Sequence, residues 1–298
     1  MSKARAYLEL VRVPNLLTAV ADVVAGFAYG GGRVSDWPML LWLSASSVCL
    51  YAGGVALNDV CDAAIDAEQR PDRPIPSGRV NVRAAKRLAI MLLTLGIALA
   101  TWASVPSGIV ATSLVLCVVF YDAVLKHHAI APAAMGLCRA LNFCLPLAGL
   151  GVLSSGAGYV LPLAAIWLYV TSLTYFAQGE AALAVGRGRR PLTIGTFGVC
   201  LSAMSLVGLH WTLPAPHNAF LIGVAAIVIT LAYCGASAVK RPDPASIQRV
   251  VRAFVMLLVG LDVCIAWASR GSGFAAAVAA LLVLAVILGS NRVGLRVT

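Results

Sequence analysis

The residues best suited to chemistry lie in one short stretch, Leu57–Gly78, which reads LNDVCDAAIDAEQRPDRPIPSG. The chain of 298 residues contains only 12 acidic residues. Five of them fall within fourteen positions of this stretch: Asp59, Asp62, Asp66, Glu68 and Asp72. Because a long apolar run comes directly before them, this concentration of carboxylates needs an explanation.

The spacing of three of these carboxylates indicates a metal site. On a helix, Asp59, Asp62 and Asp66 are spaced i, i+3, i+7 and share one face, with Asn58 beside them. Oxygen ligands of this kind suit Mg²⁺, which keeps open positions for water and for substrate phosphates. We therefore predict a site for magnesium and a diphosphate at Asn58, Asp59, Asp62 and Asp66. A solvated acidic helix beside a membrane would carry the same spacing and is the alternative.

The loop after the carboxylates carries the opposite charge. It contains three prolines and a glycine, which end the helix and restrict the path of the chain. Arg70, Arg73 and Arg79 stand next to the carboxylates in sequence, and a guanidinium group binds phosphate oxygens in pairs. They are candidate diphosphate ligands, or else charges at a membrane surface that only set the topology.

The composition excludes a soluble globular protein. Hydrophobic residues make up 60% of the chain, charged residues 11%, and the mean hydropathy is +0.90, whereas soluble domains contain about 25% charged residues. Long unbroken apolar runs with short loops predict an all-α transmembrane bundle that forms a single domain over residues 1–298. Nine to ten spans are predicted, and the division of the last two, joined by RGSG, stays open. The ten candidates are residues 15–31, 39–58, 84–103, 107–123, 132–152, 159–177, 193–211, 218–238, 250–269 and 273–290.

The distribution of Lys and Arg predicts the orientation of these spans. If the N-terminus is cytoplasmic, 19 of the 22 Lys and Arg residues fall on the cytoplasmic side, with Arg33 and Arg270 outside and Arg139 within a span. We therefore expect a multi-pass protein of the cytoplasmic membrane with both termini in the cytoplasm. The net charge of +10 reflects topology, and no nucleic-acid partner is expected.

Several segments together resemble the UbiA superfamily of intramembrane prenyltransferases. NDVCDAAID (Asn58–Asp66) fits its NDxxDxxxD motif, and RPDRPIPSG (Arg70–Gly78) fits the continuation of that motif. The opening LVRVPNLLTAVADVVAGF is similar to the family's first helix. YDAVLK, with Tyr121 and Lys126, resembles its YxxxK element but is one residue longer.

The resemblance implies a fold and a reaction. The family fold is a helical bundle, usually of nine transmembrane helices, around a central cavity that opens sideways to lipid. Its acidic motifs bind Mg²⁺ ions that hold an isoprenyl diphosphate, and an aromatic or other electron-rich acceptor attacks the allylic cation as the diphosphate leaves. Carried over, this implies catalytic roles for Asp59, Asp62, Asp66 and Lys126, and substrate contacts for Asn58, Arg70, Arg73 and Tyr121.

The chain departs from the family pattern after the sixth span. Where a second aspartate-rich motif is usual, it reads TSLTYFAQGEAALAVGRGRRPLTIG (Thr171–Gly195), with Glu180 as the remaining acidic residue. Tyr175, Gln178 and Glu180 are candidate substrate contacts in this segment, followed by Arg187, Arg189 and Arg190. The altered motif resembles the EboC-like branch of the superfamily, and it leaves the number of metal ions open.

Charged and polar residues inside the predicted spans are further candidates. Arg139 and Asn142 lie in the fifth span, and because a charge in the bilayer is costly, Arg139 must face a cavity or a partner. We expect both to contact substrate in the cavity, with a purely structural arginine as the alternative. Asp22 and Asp262 also lie in spans, and the sequence does not identify their partners.

Two functions follow from these observations. The first is magnesium-dependent transfer of an isoprenyl group from an isoprenyl diphosphate to a small acceptor, with an aromatic acceptor expected. The second is a UbiA-like protein that no longer catalyses transfer and instead binds or moves a lipophilic metabolite. The altered second motif favours the second function, whereas the intact first motif and Lys126 favour the first.

Overall fold

The computed structural model describes residues 3–154, 156, 158–183, 188–211, 217–270 and 272–289. Within these residues the protein is helical and contains no β-strand. The helices are, in chain order, α1 (Lys3–Leu10), α2 (Val13–Tyr29), α3 (Trp37–Cys61), α4 (Ala63–Gln69), α5 (Val82–Ala103), α6 (Val105–Ala123), α7 (Ala131–Gly149), α8 (Val160–Ala177), α9 (Gly179–Leu183), α10 (Arg189–Ser205), α11 (His217–Lys240), α12 (Pro244–Arg270) and α13 (Ser272–Gly289). Short 3-10 turns lie at Val34–Asp36, Leu125–His127, Val152–Ser154 and Leu206–Trp211.

Each of the ten predicted spans falls on one long helix. Among the described residues, eight helical segments are long and apolar enough to cross a membrane, and α1 with α2 makes a ninth when this pair, bent by 42°, is counted as one span. The last two predicted spans are the separate helices α12 and α13. The protein is therefore an all-α, multi-pass helical bundle, as the hydropathy predicts.

Local sequence explains where several of these helices begin. Pro14, Pro38, Pro106 and Pro132 lie in the first turn of α2, α3, α6 and α7, where a missing backbone N–H costs no helical hydrogen bond. At the start of α5, the Asn81 side chain accepts a hydrogen bond from the Arg83 backbone N–H at 2.8 Å. The prolines and caps thus divide an almost continuous apolar sequence into separate spans.

The helix α2 contacts helices from both the first and the last part of the chain. It packs against α3, α7, α12 and α13, so the first and last spans of the chain are neighbours. Elsewhere the order in space follows the order in sequence, with α5 to α8 and then α10 to α12 packed in succession. This arrangement brings the start of α2 beside the end of α3, where the acidic stretch lies.

Candidate functional site

The three candidate metal carboxylates lie where α3 passes into α4. Asp59 is in the last turn of α3, Asp62 is at the junction, and Asp66 is in α4. Backbone hydrogen bonds from Asp62 N to Asn58 O (2.9 Å) and from Asp66 N to Asp62 O (2.8 Å) continue the helical spacing across the junction. Asp59 and Asp66 are buried and Asp62 is half-buried, so the acidic face is directed into the protein.

Arg73 joins the two buried carboxylates. One guanidinium nitrogen, Nη1, lies 3.3 Å from Asp59 Oδ1 and 2.7 Å from Asp66 Oδ2. The loop that carries Arg73 is folded by hydrogen bonds from Ser77 N to Arg73 O and from Val80 N to Pro74 O. Gly78 has φ of +73° in this loop, a left-handed conformation that glycine adopts without a steric penalty. The RPDRPIPSG loop therefore returns Arg73 to the carboxylates that precede it.

Asp62 has a different partner. The ammonium group of Lys126, in the turn after α6, pairs with Asp62 Oδ2 and lies 4.0 Å from Asp122 Oδ1. Asn58 Nδ2 donates to the same Asp122 oxygen at 2.8 Å. The extra residue in YDAVLK does not keep Lys126 from this site, since the 3-10 turn Leu125–His127 brings it to α3. Asp122 links Asn58 and Lys126.

Arg12, one of the Lys and Arg residues that the charge distribution placed on the cytoplasmic side, is also a residue of the site. Its Nη2 lies 3.0 Å from Asp59 Oδ1. Its backbone, at the bend between α1 and α2, has φ of 50° and is left-handed, as in no other non-glycine residue of the described chain. Such a conformation is strained and is common at functional sites. In the sequence, the VRVPN segment places Arg12 two residues before the proline in the first turn of α2, and this pattern could have identified Arg12 as a site residue.

A second set of ion pairs fastens α1 over the loop. Arg79 Nη1 lies 2.6 Å from Glu9 Oε2, and Arg79 Nη2 donates to Asp72 O at 2.7 Å. Arg5 Nε lies 3.6 Å from Glu9 Oε1. Glu9, Asp72 and Arg79 form one wall of a small, open pocket. Its lining residues are Glu9, Arg12, Asp59, Asp72, Arg73, Pro74 and Arg79.

The donor set of the pocket fits a hard divalent cation. The carboxylates supply oxygen ligands, and Arg73 Nη1 already occupies a position between Asp59 and Asp66 that a cation would share with them. Within the described residues, no three Asp, Glu, His or Cys side chains converge tightly enough to form a metal cage. Because Mg²⁺ usually takes one or two carboxylates and completes its shell with water and phosphate, two aspartates are sufficient.

The other candidate site residues are less closely connected to the pocket. Arg70 is exposed, and its side chain has no hydrogen bond or ion pair within the described chain. Tyr121 is half-buried next to Asp122.

At the altered second motif, Glu180 accepts a hydrogen bond from Gln248 Nε2 of α12 at 2.8 Å. Tyr175 is half-buried, Gln178 is exposed, Arg189 and Arg190 are exposed at the start of α10, and Arg187 lies outside the described residues.

Arg139 and Asn142 lie deeper in the bundle and have protein partners. Arg139 Nε is 2.6 Å from Asp22 Oδ2, and Asn142 Nδ2 donates to the same oxygen at 2.9 Å. Asp22 follows Arg12 by ten residues on α2, a separation of about 15 Å along a helix axis. The structure thus supplies the partner of Asp22 that the sequence did not identify. Substrate contact by Arg139 and Asn142 stays a prediction.

The UbiA prenyltransferase family model matches residues 19–251, which include the acidic stretch, its loop and Lys126. The chain belongs to the UbiA prenyltransferase family. The match starts after Arg12 and ends within α12, so it covers the segments that carry Asp59, Asp62 and Asp66. The EboC-like branch within this family stays a prediction.

Three known proteins illustrate the range of similarity. The protein is 26% identical to digeranylgeranylglyceryl phosphate synthase of Methanocaldococcus jannaschii. The match covers 87% of this chain and 94% of that relative's length. The protein is 50% identical to the synthase of the same name from Ignicoccus hospitalis, but over 94 residues that span only 30% of that relative and 32% of this chain. A solved UbiA homologue from Archaeoglobus fulgidus, bound to GPP and Mg²⁺, has a TM-score of 0.59 at 14% identity, covering 87% of this chain and 99% of the homologue.

Proposed function

We propose that the protein transfers an isoprenyl group from an isoprenyl diphosphate to a small acceptor, with Mg²⁺ as cofactor. The observation that carries this proposal is the pocket at the end of α3, where carboxylates suited to a metal stand beside arginines suited to a diphosphate. Asp59 and Asp66 share Arg73 at 3.3 and 2.7 Å, and Arg12 and Arg79 line the same pocket. Membership of the UbiA family and the Mg²⁺ bound by the Archaeoglobus homologue support it.

Each side chain has a role that its contacts support. Asp59, Asp62 and Asp66, with Asn58, would hold the metal, which neutralises charge on the departing diphosphate. Arg73, Arg12 and Lys126 now neutralise these carboxylates. On binding of the diphosphate they would exchange carboxylate partners for phosphate oxygens, which they bind by charge-assisted hydrogen bonds. Once bound to the phosphate oxygens, these cations would stabilise the leaving group without further reorganisation during the reaction.

The acceptor is the least determined part of the proposal. We propose an acceptor with an anionic group, because Arg79 lines the pocket in addition to the Arg12 and Arg73 assigned to the diphosphate, and because the described lining contains no aromatic side chain. The relatives' name, digeranylgeranylglyceryl phosphate synthase, points to a glyceryl phosphate in their chemistry. The aromatic acceptor expected from the sequence is the other class to test. We also propose that the protein lies in the cytoplasmic membrane with the pocket facing the cytoplasm.

The second candidate is a carrier that binds or moves a lipophilic metabolite without transferring a prenyl group. One observation favours it: Glu180, the acidic residue left in the second motif, is engaged by Gln248. Both candidates use the same fold, but they differ at the first acidic motif. A carrier without a metal has no need of the Asp59 and Asp66 carboxylates.

A transfer assay with the purified full-length chain in nanodiscs separates the two. Labelled geranylgeranyl diphosphate and a shorter diphosphate are supplied with a glyceryl phosphate acceptor or an aromatic acceptor, with Mg²⁺ or with a chelator. We expect Mg²⁺-dependent product, and losses of about 100-fold or more in Asp59→Asn, Asp62→Asn and Asp66→Asn, because even outer-shell changes at metal sites cost about 10–100-fold.

The matched control is Glu68→Gln. Glu68 lies on α4 with Asp66 but is exposed and has no ion pair within the described chain. This variant should keep the wild-type rate. If neither diphosphate binds or reacts at any Mg²⁺ concentration, the transferase proposal fails and the carrier becomes the leading function.

A further inference from the structure

A second polar cluster lies in the centre of the bundle, away from the pocket. Its members are Asp22 of α2, Arg139 and Asn142 of α7, and Asp262 of α12. Both aspartates have 0% of their surface exposed, and the Arg139 side chain has 10%. Arg139 Nε and Asn142 Nδ2 contact a single oxygen of Asp22, Oδ2, at 2.6 and 2.9 Å. Charged groups inside a membrane bundle are rare and need a defined partner.

Asp262 has no such partner among hydrogen-bond donors. Neither of its carboxyl oxygens accepts a hydrogen bond from a donor in the described part of the chain, and neither does Asp22 Oδ1. What Asp262 faces is Asp22 itself, and the two buried carboxyl groups interact directly with each other. Two ionised carboxylates in this position would repel each other strongly, because the low dielectric of the interior barely screens them.

In the described part of the neighbouring helices, no charged group other than Arg139 acts on the pair. On α3 the facing group is Ser47, which donates to Asn142 Oδ1 at 2.7 Å. On α8 it is Tyr169, whose hydroxyl donates to Phe254 O at 2.8 Å, and on α12 it is the thiol of Cys264. The α13 sequence, Ser272–Gly289, contains no ionisable residue. Arg139 therefore balances one carboxylate, and the cluster lacks one positive charge.

We propose that Asp22 and Asp262 form a proton-binding site, in which one proton is shared between the two carboxyl groups and Arg139 balances the remaining negative charge. A shared proton satisfies oxygens that have no other donor and removes the repulsion. It also joins α2 to α12, the helices that bring the two ends of the bundle together. The site is independent of the diphosphate pocket and does not rest on the proposed function.

A sodium ion is the other occupant with one positive charge. The described contacts favour the proton, because the two carboxyl groups interact directly with each other and because Arg139 and Asn142 already contact the second oxygen of Asp22. The Asn142 side-chain oxygen is in turn engaged by Ser47. Few free oxygens remain to form the shell that a metal ion needs.

Infrared spectroscopy of the ligand-free full-length protein in nanodiscs tests this directly. A protonated carboxylic acid has a C=O stretch that an ionised carboxylate lacks, and deuterium exchange shifts it. We expect such a band at neutral pH in the wild type and its loss in Asp262→Asn, in which Asp22 and Arg139 form a neutral pair. Asp243→Asn is the matched control, since Asp243 lies directly before the same helix, is exposed, and accepts a hydrogen bond from Ser246 N; it should leave the band unchanged.

Two further variants make the result quantitative. Arg139→Gln removes the compensating cation, so the second carboxyl group must also take up a proton and the intensity of the band should double. Asp262→Glu keeps the acid and should shift the band without removing it, even if Asp262→Asn fails to fold. A band that persists in folded Asp262→Asn overturns the proposal. So does a band that appears only when sodium is withdrawn, because a metal ion then occupies the site.

Discussion

At the scale of single residues, Arg73 acts as an internal cation between two buried aspartates. One nitrogen lies within hydrogen-bonding distance of both Asp59 and Asp66. Removal of one partner from a buried ion pair costs about 3–5 kcal/mol, because the other charge is left unpaired. A metal ion at the proposed site would therefore compete with Arg73 for the same carboxylates, and the loop that carries Arg73 would have to move when the ion binds.

This competition predicts the behaviour of Arg73→Gln. Without metal the variant should unfold at a lower temperature than the wild type, because Asp59 and Asp66 then repel each other. Added Mg²⁺ should raise its unfolding temperature by more than it raises that of the wild type, since the ion replaces the lost charge. Thermal unfolding in nanodiscs across a Mg²⁺ titration measures both effects.

Arg70→Gln is the control for this prediction. Arg70 lies three residues before Arg73 in the same loop, but it is exposed and without a polar partner in the described chain. Its replacement should change neither the unfolding temperature nor the response to Mg²⁺. Equal responses to Mg²⁺ in Arg73→Gln and wild type would contradict the idea that Arg73 occupies a cation position.

At the scale of helices, the buried cluster depends on a close approach of α2 to α7. A Cβ atom added at Gly26 would lie 2.5 Å from Phe143 O and 3.0 Å from Pro146 Cγ. Gly26 lies one turn beyond Asp22 on α2, and Phe143 follows Asn142 on α7. Small residues allow this kind of backbone contact between membrane helices. Gly26 is therefore what lets Asp22 reach Arg139 and Asn142.

We predict that Gly26→Ala separates α2 from α7 and destabilises the protein by about 1–3 kcal/mol, the usual cost of overpacking. The measurement is thermal unfolding in nanodiscs. Gly223→Ala on α11 is the matched control, because a Cβ there would meet Cys264 Sγ at an ordinary 3.5 Å. It should be neutral. If the two variants unfold at the same temperature, close packing at Gly26 is not what positions the cluster.

At the scale of the whole molecule, the orientation in the membrane decides which compartment supplies the substrates. The positive-inside distribution predicts that the pocket faces the cytoplasm. Cys61 lies between Asp59 and Asp62 and is exposed, whereas Val34, in the turn before α3, is 82% exposed at the opposite end of the same span. A label attached at either position would therefore report which side of the membrane that end of α3 faces.

The predicted orientation can be tested with a membrane-impermeant maleimide. Cys61 should be labelled in inside-out vesicles and protected in right-side-out vesicles, and a cysteine introduced by Val34→Cys in a Cys61→Ser background should show the reverse. Cys61→Ser alone reports the background from the other cysteines, which lie in the helices of the bundle. Labelling of Cys61 from the outside would overturn the predicted topology.

The sequence by itself determined the helical class, the positions of the spans and the acidic motif. Long apolar runs can satisfy their backbone hydrogen bonds in a membrane only as helices, and five carboxylates in an apolar chain stand out without any structure. The i, i+3, i+7 spacing also indicated the shared face correctly for Asp59 and Asp66, which meet at Arg73.

Only the tertiary structure decided which distant residues meet. Arg12 reaches Asp59 across 47 residues of sequence, and Asn58 reaches Asp122 across 64. Hydropathy identifies a span but hardly distinguishes its faces when all of them are apolar, so the sequence could not show that α2 lies between α3, α7 and α12. The pairing of Asp22 with Arg139 and Asp262 follows from that packing alone, because each charge lies on a different helix.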